Sequence, residues 1–214
     1  MNAVIFDMDG VLIDSERVVL EAFRYAGEKT GVPNAERMAI IGLGLNDNAW
    51  MARFMQEFGA EADAVLKYSE EYMAHFYATS AAPAKKGALE LLRTLRGWDV
   101  PAAVASSSSR PAVVSRLEKA ALLPYFDAVI SGDMIRRSKP EPDIFLEAAR
   151  RLGCAAKDCF VIEDSPNGLK AGRAAGCHVL FVPDLWRPEQ DRPDLYEKRF
   201  ADLDAVRAYF TQLR

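Results

Sequence analysis

The sequence is poor in the residues that build many metal and redox sites. It contains three cysteines and two histidines in 214 residues, and no two cysteines stand in a C-x-x-C spacing. An odd number of cysteines at these spacings argues against a disulfide framework and against a zinc site. We therefore expect Cys154, Cys159 and Cys177 to be reduced and buried, and we expect His75 and His178 to have packing or surface roles.

The sequence also lacks long apolar runs and an excess of positive charge. No apolar run approaches the ~18 residues of a membrane helix, and the chain does not start with the basic segment typical of a signal peptide. With 27 basic and 31 acidic residues the net charge is −4. Because no basic stripe is interleaved with aromatic residues, nucleic-acid and membrane partners are disfavoured. We expect a cytoplasmic protein and favour a monomer.

The composition and the periodicity predict one α/β core with a helical insertion. Hydrophobic residues make up 50% of the chain and charged residues 27%, as in ordinary globular proteins. Residues 1–14 contain a short apolar strand, and residues 15–81 keep helical spacing, with candidate helices near 35–40, 46–58 and 61–78. Residues 82–214 alternate strands and helices, and this alternation predicts a doubly wound, Rossmann-like parallel sheet. A surface loop is expected over 185–199 and a last helix over 203–213.

Four of the predicted strands end in polar residues. Asp7 and Asp9 follow the first strand, Ser106 ends the second, Lys139 follows the third, and Glu163 with Asp164 ends the fourth. Each feature has an ordinary explanation: a solvated acidic turn, a helix cap, a Lys-Pro turn, or acids that complement a helix dipole. The carboxyl ends of parallel strands share one edge of the sheet, where ligands bind in open α/β folds. Together, these residues therefore predict a site that combines carboxylates, a hydroxyl and a lysine.

The serines at 106–109, after the second predicted strand, are expected to have two different roles. Hydroxyl groups and amides at this junction can bind anionic oxygens, but a serine there is equally suited to cap the next helix. Pro111 fits the first turn of that helix. We expect Ser109 to be the cap and Ser106 to face the ligand.

The motifs resemble those of the haloacid dehalogenase-like hydrolases, in particular the phosphatase and phosphoglucomutase branch with a helical cap inserted after the first strand. The matching stretches are residues 6–16 (FDMDGVLIDSE), 104–108 (VASSS), 138–145 (SKPEPDIF) and 162–168 (IEDSPNG). They cover nearly the whole core, whereas the insertion matches mainly in helical character and length. The resemblance implies domains at 1–14 and 82–214 for the core and at 15–81 for the cap.

The resemblance also implies roles for the polar residues. Asp7 corresponds to the nucleophile that forms an aspartyl-phosphate, and Asp9 corresponds to the general acid and base. Mg²⁺ would be held by Asp7, the backbone carbonyl of Asp9 and Asp164, with Glu163 either a further ligand or an anchor. The implied phosphate-binding groups are Lys139, Ser106, Ser107 and the amides of Met8 and Asp9.

The expected activity is Mg²⁺-dependent hydrolysis of a small phosphorylated metabolite such as a sugar phosphate. The alternative is a phosphohexomutase of the β-phosphoglucomutase type; a binding module is a third reading. Substrate specificity is expected to depend on the cap loop at 43–48, in particular on Leu43, Leu45 and Asn46. Val19 and Leu45 stand where the mutases carry a histidine and an arginine, which favours a phosphatase unless Arg53 or Lys67 substitutes.

Overall fold

The computed structural model describes residues 1–41, 47–185 and 191–214, and the side chains of 41 and 47–49 are not described. In these ranges the strands are β1 (Ala3–Phe6), β2 (Ala102–Ser106), β3 (Ala128–Ser131), β4 (Cys159–Glu163), β5 (His178–Phe181) and β6 (Lys198–Arg199). The helices are α1 (Ser15–Thr30), α2 (Arg37–Ile41), α3 (Asp47–Phe58), α4 (Ala62–Thr79), α5 (Ala88–Gly97), α6 (Arg110–Lys119), α7 (Asp143–Arg151), α8 (Pro166–Ala174) and α9 (Leu203–Leu213).

The chain divides into two compact units. One unit comprises Met1–Asp14 and Pro83–Arg214 and contains the sheet; the other comprises Ser15–Ala82 and contains α1 to α4. We call them the sheet unit and the helical unit. The sequence prediction placed the insertion at residues 15–81, and the role of the helical unit as a cap stays a prediction.

The sheet is parallel and has the strand order β3-β2-β1-β4-β5-β6 within the described residues. From β1 the chain builds outward through β2 and β3 on one side, and through β4, β5 and β6 on the other. The order therefore reverses between β1 and β4, and a reversal of this kind leaves a crevice at the carboxyl edge of the sheet. The predicted α/β class and doubly wound core are confirmed.

The core strands are buried on both faces, which explains their uninterrupted apolar sequences. All four residues of β1 are fully buried. On one face Ile5, Ala103, Ile130 and Val161 pack with Phe145 of α7. The burial of these side chains fixes the register of β1 between β2 and β4, and thereby the position of the residues that follow each strand.

The helical unit has its own aromatic core. Trp50 stacks on Phe54 with 4.9 Å between ring centroids, and Phe54 meets Phe58 edge-on at 4.8 Å. Phe23 of α1 packs against Trp50 and Phe54. Since aromatic rings bury large apolar areas, this cluster explains how a short helical segment forms a compact unit.

The prediction of a surface loop over 185–199 was wrong at its end. Lys198 and Arg199 form β6, which pairs in parallel with β5. Just before it, the Tyr196 ring packs against Phe181 with 5.1 Å between centroids. The strand is too short for a periodic pattern, and both of its residues are exposed, so the sequence carried no apolar signal for it.

The three cysteines are free thiols; Cys159 and Cys177 are buried, and Cys154 is partly exposed. Burial raises the pKa of Cys159 to about 11 and that of Cys177 to about 12. In the part of the chain that the structure describes, no helix is both long and apolar enough to span a membrane.

Candidate active site

The loop after β1 carries the two predicted acids. The Asp7 N–H continues the strand pairing by donating to the Ile162 carbonyl of β4 at 3.0 Å. The chain then turns back, because Gly10 has φ +78° and its N–H donates to the Ile13 carbonyl at 3.0 Å. A positive φ is readily available only to glycine. This turn keeps Asp7 and Asp9 at the carboxyl edge, beside the reversal in strand order.

Lys139 joins the first and fourth strands through its ammonium group. Its Nζ donates to an Asp7 carboxylate oxygen, to Glu163 Oε1 at 2.7 Å and to the Ala105 carbonyl at 3.1 Å. An ammonium group has three N–H donors, so all of them have acceptors here. The side chain of Lys139 is 7% exposed and that of Glu163 is fully buried. The lysine therefore lies between two buried acids and reduces the repulsion between them.

For both Asp7 and Lys139, burial and the opposite charge of the partner shift the pKa in opposite directions. Burial raises the pKa of Asp7 to about 8; Lys139 opposes this rise, while Glu163 and Asp9 add to it. Burial alone lowers the pKa of Lys139, but the charges and hydrogen bonds of Asp7 and Glu163 outweigh it and raise the pKa above the usual range. Lys139 is therefore a permanent cation, and Asp7 is a carboxyl group whose ionisation depends on nearby positive charge.

Glu163 is fixed at the start of α8. Its Oε2 accepts hydrogen bonds from the Asp164 N–H at 3.0 Å, the Ser165 N–H at 3.1 Å and the Ser165 hydroxyl at 3.1 Å. Its carboxylate also lies against Gly168, where an added Cβ would be 1.7 Å from Oε1. Both oxygens of Glu163 are thus engaged by the protein, as expected of an anchor.

Asp164 faces the loop after β1. A Cβ added to Gly10 would be 2.1 Å from Asp164 Oδ2, so the glycine lets this carboxylate approach the backbone next to Asp9. In the described ranges, no three carboxylate, imidazole or thiol side chains surround a single point as in a metal cage. Mg²⁺ does not require such a cage, because it keeps several waters and takes one or two protein carboxylates. The oxygen donors of Asp7, Asp9 and Asp164 fit this ion.

Asp9 turns towards β2 and α6. Its Oδ2 is 3.5 Å from the Ser106 hydroxyl and 3.3 Å from the Ser108 hydroxyl. Its Oδ1 accepts from the Arg116 guanidinium at 3.1 Å. The Ser106 hydroxyl also accepts from the Ser108 N–H at 3.1 Å, which ties the two serines together. Asp7 and Asp9 therefore have different partners although only one residue separates them.

Two members of this network were missed by sequence reasoning. Ser108 belongs to the run of serines that includes Ser106, and its offset of two residues was an available signal. Arg116 lies in the last turn of α6, far along the chain from Asp9, and no local pattern distinguishes it from a surface arginine.

The other predicted site residues are Met8 and Ser107, expected to bind phosphate, and three residues expected to contact the substrate. The Met8 side chain is fully buried, whereas Ser107 is exposed and its carbonyl lies against Gly132. Their roles in binding phosphate stay predictions. The three residues expected to read the substrate, Leu43, Leu45 and Asn46, lie outside the described residues, as does the rest of 42–46.

Ser109 occupies the predicted N-cap position of α6, but its side chain makes no capping hydrogen bond. The Asp133 carboxylate instead accepts from the Arg110 N–H, at 3.2 and 3.3 Å to its two oxygens. The prediction was therefore right about the position and wrong about the group that satisfies the helix end. A carboxylate accepts more strongly than a hydroxyl and also complements the helix dipole.

Comparisons with known proteins agree with this geometry. A family model described as haloacid dehalogenase-like hydrolase matches residues 1–176. A hexitol phosphatase of Escherichia coli is 34% identical over 83% of this chain and 81% of its own length. A fructose-1-phosphate phosphatase of the same organism is 32% identical over 84% of this chain and 95% of its own length. A family hydrolase from Deinococcus radiodurans, crystallised with phosphate and sodium, superposes with a TM-score of 0.81 at 28% identity, covering 99% and 96% of the two chains.

Proposed function

The chain belongs to the haloacid dehalogenase-like hydrolases and is a phosphoric monoester hydrolase, and we propose that it acts on a small phosphorylated metabolite through an aspartyl-phosphate on Asp7. The main support for the proposal is that Asp7 and Asp9 have different surroundings. Asp7 is buried against the cation of Lys139, while Asp9 points away from that pair to hydroxyl groups. One acid is therefore arranged as a nucleophile and the other as a carrier of protons.

In the first step, a carboxylate oxygen of Asp7 forms a bond to phosphorus, and the bond from phosphorus to the ester oxygen breaks. Asp9 gives its proton to the departing oxygen, so the product leaves as a neutral alcohol. Lys139 holds Asp7 in position by a hydrogen bond and also pairs with Glu163. The hydroxyl of Ser106 and the amides of Met8 and Asp9 would bind phosphoryl oxygens.

In the second step, Asp9 accepts a proton from a water molecule, and the oxygen of that water attacks phosphorus. The bond between phosphorus and Asp7 breaks, which releases inorganic phosphate and restores the free carboxylate. Because Asp9 returns to its protonated form, the cycle closes without any other proton carrier. The same side chain thus serves as acid and as base.

Mg²⁺ would be held by the Asp7 carboxylate, the Asp9 carbonyl and Asp164, and Glu163 would anchor the loop that carries Asp164. When bound, the ion supplies positive charge that reduces the repulsion between Asp7 and the phosphate dianion. The raised pKa of Asp7 supports this assignment, since a buried nucleophile of this kind needs additional positive charge to ionise at neutral pH.

The names of the two phosphatase relatives support a phosphorylated sugar or sugar alcohol as substrate. The test is phosphate release from a panel of hexose, pentose and hexitol phosphates, with Mg²⁺ and with a chelator. We expect turnover of at least one member that depends on Mg²⁺ and disappears in Asp7→Asn. Normal turnover in that variant, with the same substrate, would show that Asp7 is not the nucleophile.

The mutase alternative is weaker, because the described part of the helical unit uses its candidate residues locally. Val19 packs into the aromatic core of the helical unit. Arg53 pairs with Gln56 and Glu57 on its own helix, and Lys67 is 3.8 Å from Glu71. Incubation with β-glucose 1-phosphate and a trace of the 1,6-bisphosphate separates the two activities. Formation of glucose 6-phosphate that outpaces phosphate release would establish the mutase.

A further inference from the structure

Arg116 contacts Asp9, the proposed general acid and base, but has no role of its own in the two proposed chemical steps. It projects from α6, and one of its terminal nitrogens lies 3.1 Å from Asp9 Oδ1 and 3.4 Å from the Ser108 hydroxyl. The side chains of Arg116 and Asp9 are 23% and 30% exposed, so the pair is partly shielded from solvent. Pairs that are exposed on the surface contribute little, but this one belongs to a network of hydroxyl groups.

The network holds Asp9 from both of its oxygens. Arg116 donates to Oδ1, and the hydroxyls of Ser106 and Ser108 are within 3.5 Å of Oδ2. These three residues lie on β2, just after it, or on α6. Asp164, by contrast, lies after β4, on the other side of β1. The Asp9 carboxylate thus contacts groups on the β2 side, whereas the Asp164 carboxylate lies against Gly10.

We propose that Arg116 is a positioning residue that holds the Asp9 side chain on the β2 side of the site, where it can exchange protons with the leaving group and water. This inference rests on the proposed function. Asp9 lies in the loop next to Gly10 and its side chain is 30% exposed, so its hydrogen bonds matter for its orientation. A charged donor on one oxygen and two hydroxyls on the other restrict its rotation, and a restricted acid reaches the leaving oxygen more often.

Loss of a positioning residue for the general acid affects poor leaving groups most. An alkyl phosphate must be protonated as it departs, whereas p-nitrophenolate leaves without help. In Arg116→Ala we expect kcat/KM for an alkyl phosphate substrate to fall about tenfold more than kcat/KM for p-nitrophenyl phosphate, as for loss of one charged hydrogen bond. The ratio of the two values is measured within one preparation, so a partly unfolded variant does not disturb it.

Two variants serve as controls. Arg116→Lys should restore most of the ratio, because both described contacts come from one nitrogen and an ammonium can replace it. Arg110→Ala removes the same charge from the same helix, but Arg110 donates to the Val129 carbonyl and lies outside the network. Its ratio should equal that of the parent enzyme. An equal loss for both substrates in Arg116→Ala would indicate a structural role and would overturn the proposal.

A double-variant cycle with Asp9→Asn separates this proposal from the proposed function. Asp9→Asn should itself lower the ratio, and adding Arg116→Ala should lower it no further. If the ratio falls in Asp9→Asn but not in Arg116→Ala, only the role of Arg116 is refuted. The role of Arg116 is also refuted if Arg116→Ala lowers the ratio further in the Asp9→Asn background. An unchanged ratio in Asp9→Asn would refute the acid role of Asp9 and, with it, the inference about Arg116.

Discussion

Replacement of Lys139 by methionine tests the electrostatic centre of the site through stability, independently of any substrate. Methionine has a similar length and no charge, so the change removes the ammonium without opening a large cavity. It leaves Asp7 and Glu163, whose side chains are 10% and 0% exposed, without their common cation. Glu163 keeps its hydrogen bonds from Asp164 and Ser165, and Asp7 loses its only described cationic partner.

The expected loss follows from the cost of buried, uncompensated charge. Removing one partner of a buried ion pair typically costs about 3–5 kcal/mol. A domain of this kind has a total unfolding free energy of roughly 5–15 kcal/mol, so the variant should remain folded but weakened. Protonation limits the loss, because a carboxyl group without its cation takes up a proton before the fold fails.

The loss should depend on pH in a defined direction. The pKa of Asp7 is already raised to about 8, well above its value in an unfolded chain, and removal of Lys139 raises it further. A raised carboxyl pKa contributes stability at low pH that is lost as the pH rises towards the folded pKa. Urea unfolding with a chelator present should therefore show a loss that is nearly constant below about pH 8, where Asp7 is protonated in both folded proteins, and that increases above this pH.

Two further variants make the test decisive. Adding Glu163→Gln to Lys139→Met removes one unpaired charge and should recover part of the loss. Lys86→Met is the matched control, because Lys86 is 73% exposed and pairs with Asp202 on the surface; it should unfold almost as the parent does. A loss in Lys139→Met that is independent of pH, or no greater than in the control, would refute the electrostatic reasoning.

Three other outcomes follow from the site. Asp9→Asn should reduce turnover by about 10²–10⁴-fold through lost proton transfer, measured as phosphate release. Asp164→Asn should weaken Mg²⁺ binding more than Glu163→Gln does, as measured by calorimetry, because Glu163 is already engaged by protein donors; equal effects would make Glu163 a ligand. Gly10→Ala should abolish turnover and lower the melting temperature, because its Cβ would be 2.1 Å from Asp164 Oδ2 and the backbone has φ +78°; near-normal activity would show that the approach of Asp164 is not needed.

Local patterns explain why much of the fold could be predicted. The buried strands have continuous apolar sequences, and the helices have apolar residues at helical spacing. The presence and order of these elements could therefore be predicted from the sequence. β6 could not be predicted, because two exposed residues have no periodic pattern, and they form a strand by pairing with β5. The capping of α6 was also misread, since Asp133 comes from the loop after β3 and is distant in sequence.

The sequence by itself determined the fold class and the candidate residues Asp7, Asp9, Lys139, Glu163 and Asp164, because each lies in a short local motif at or after the end of a predicted strand. Only the tertiary structure decided how these residues divide their contacts. It joins Lys139 to both Asp7 and Glu163, and it directs Asp9 to Arg116, 107 residues away. Such pairings depend on strand order and side-chain direction, which arise from packing of the whole core and leave no mark on neighbouring residues.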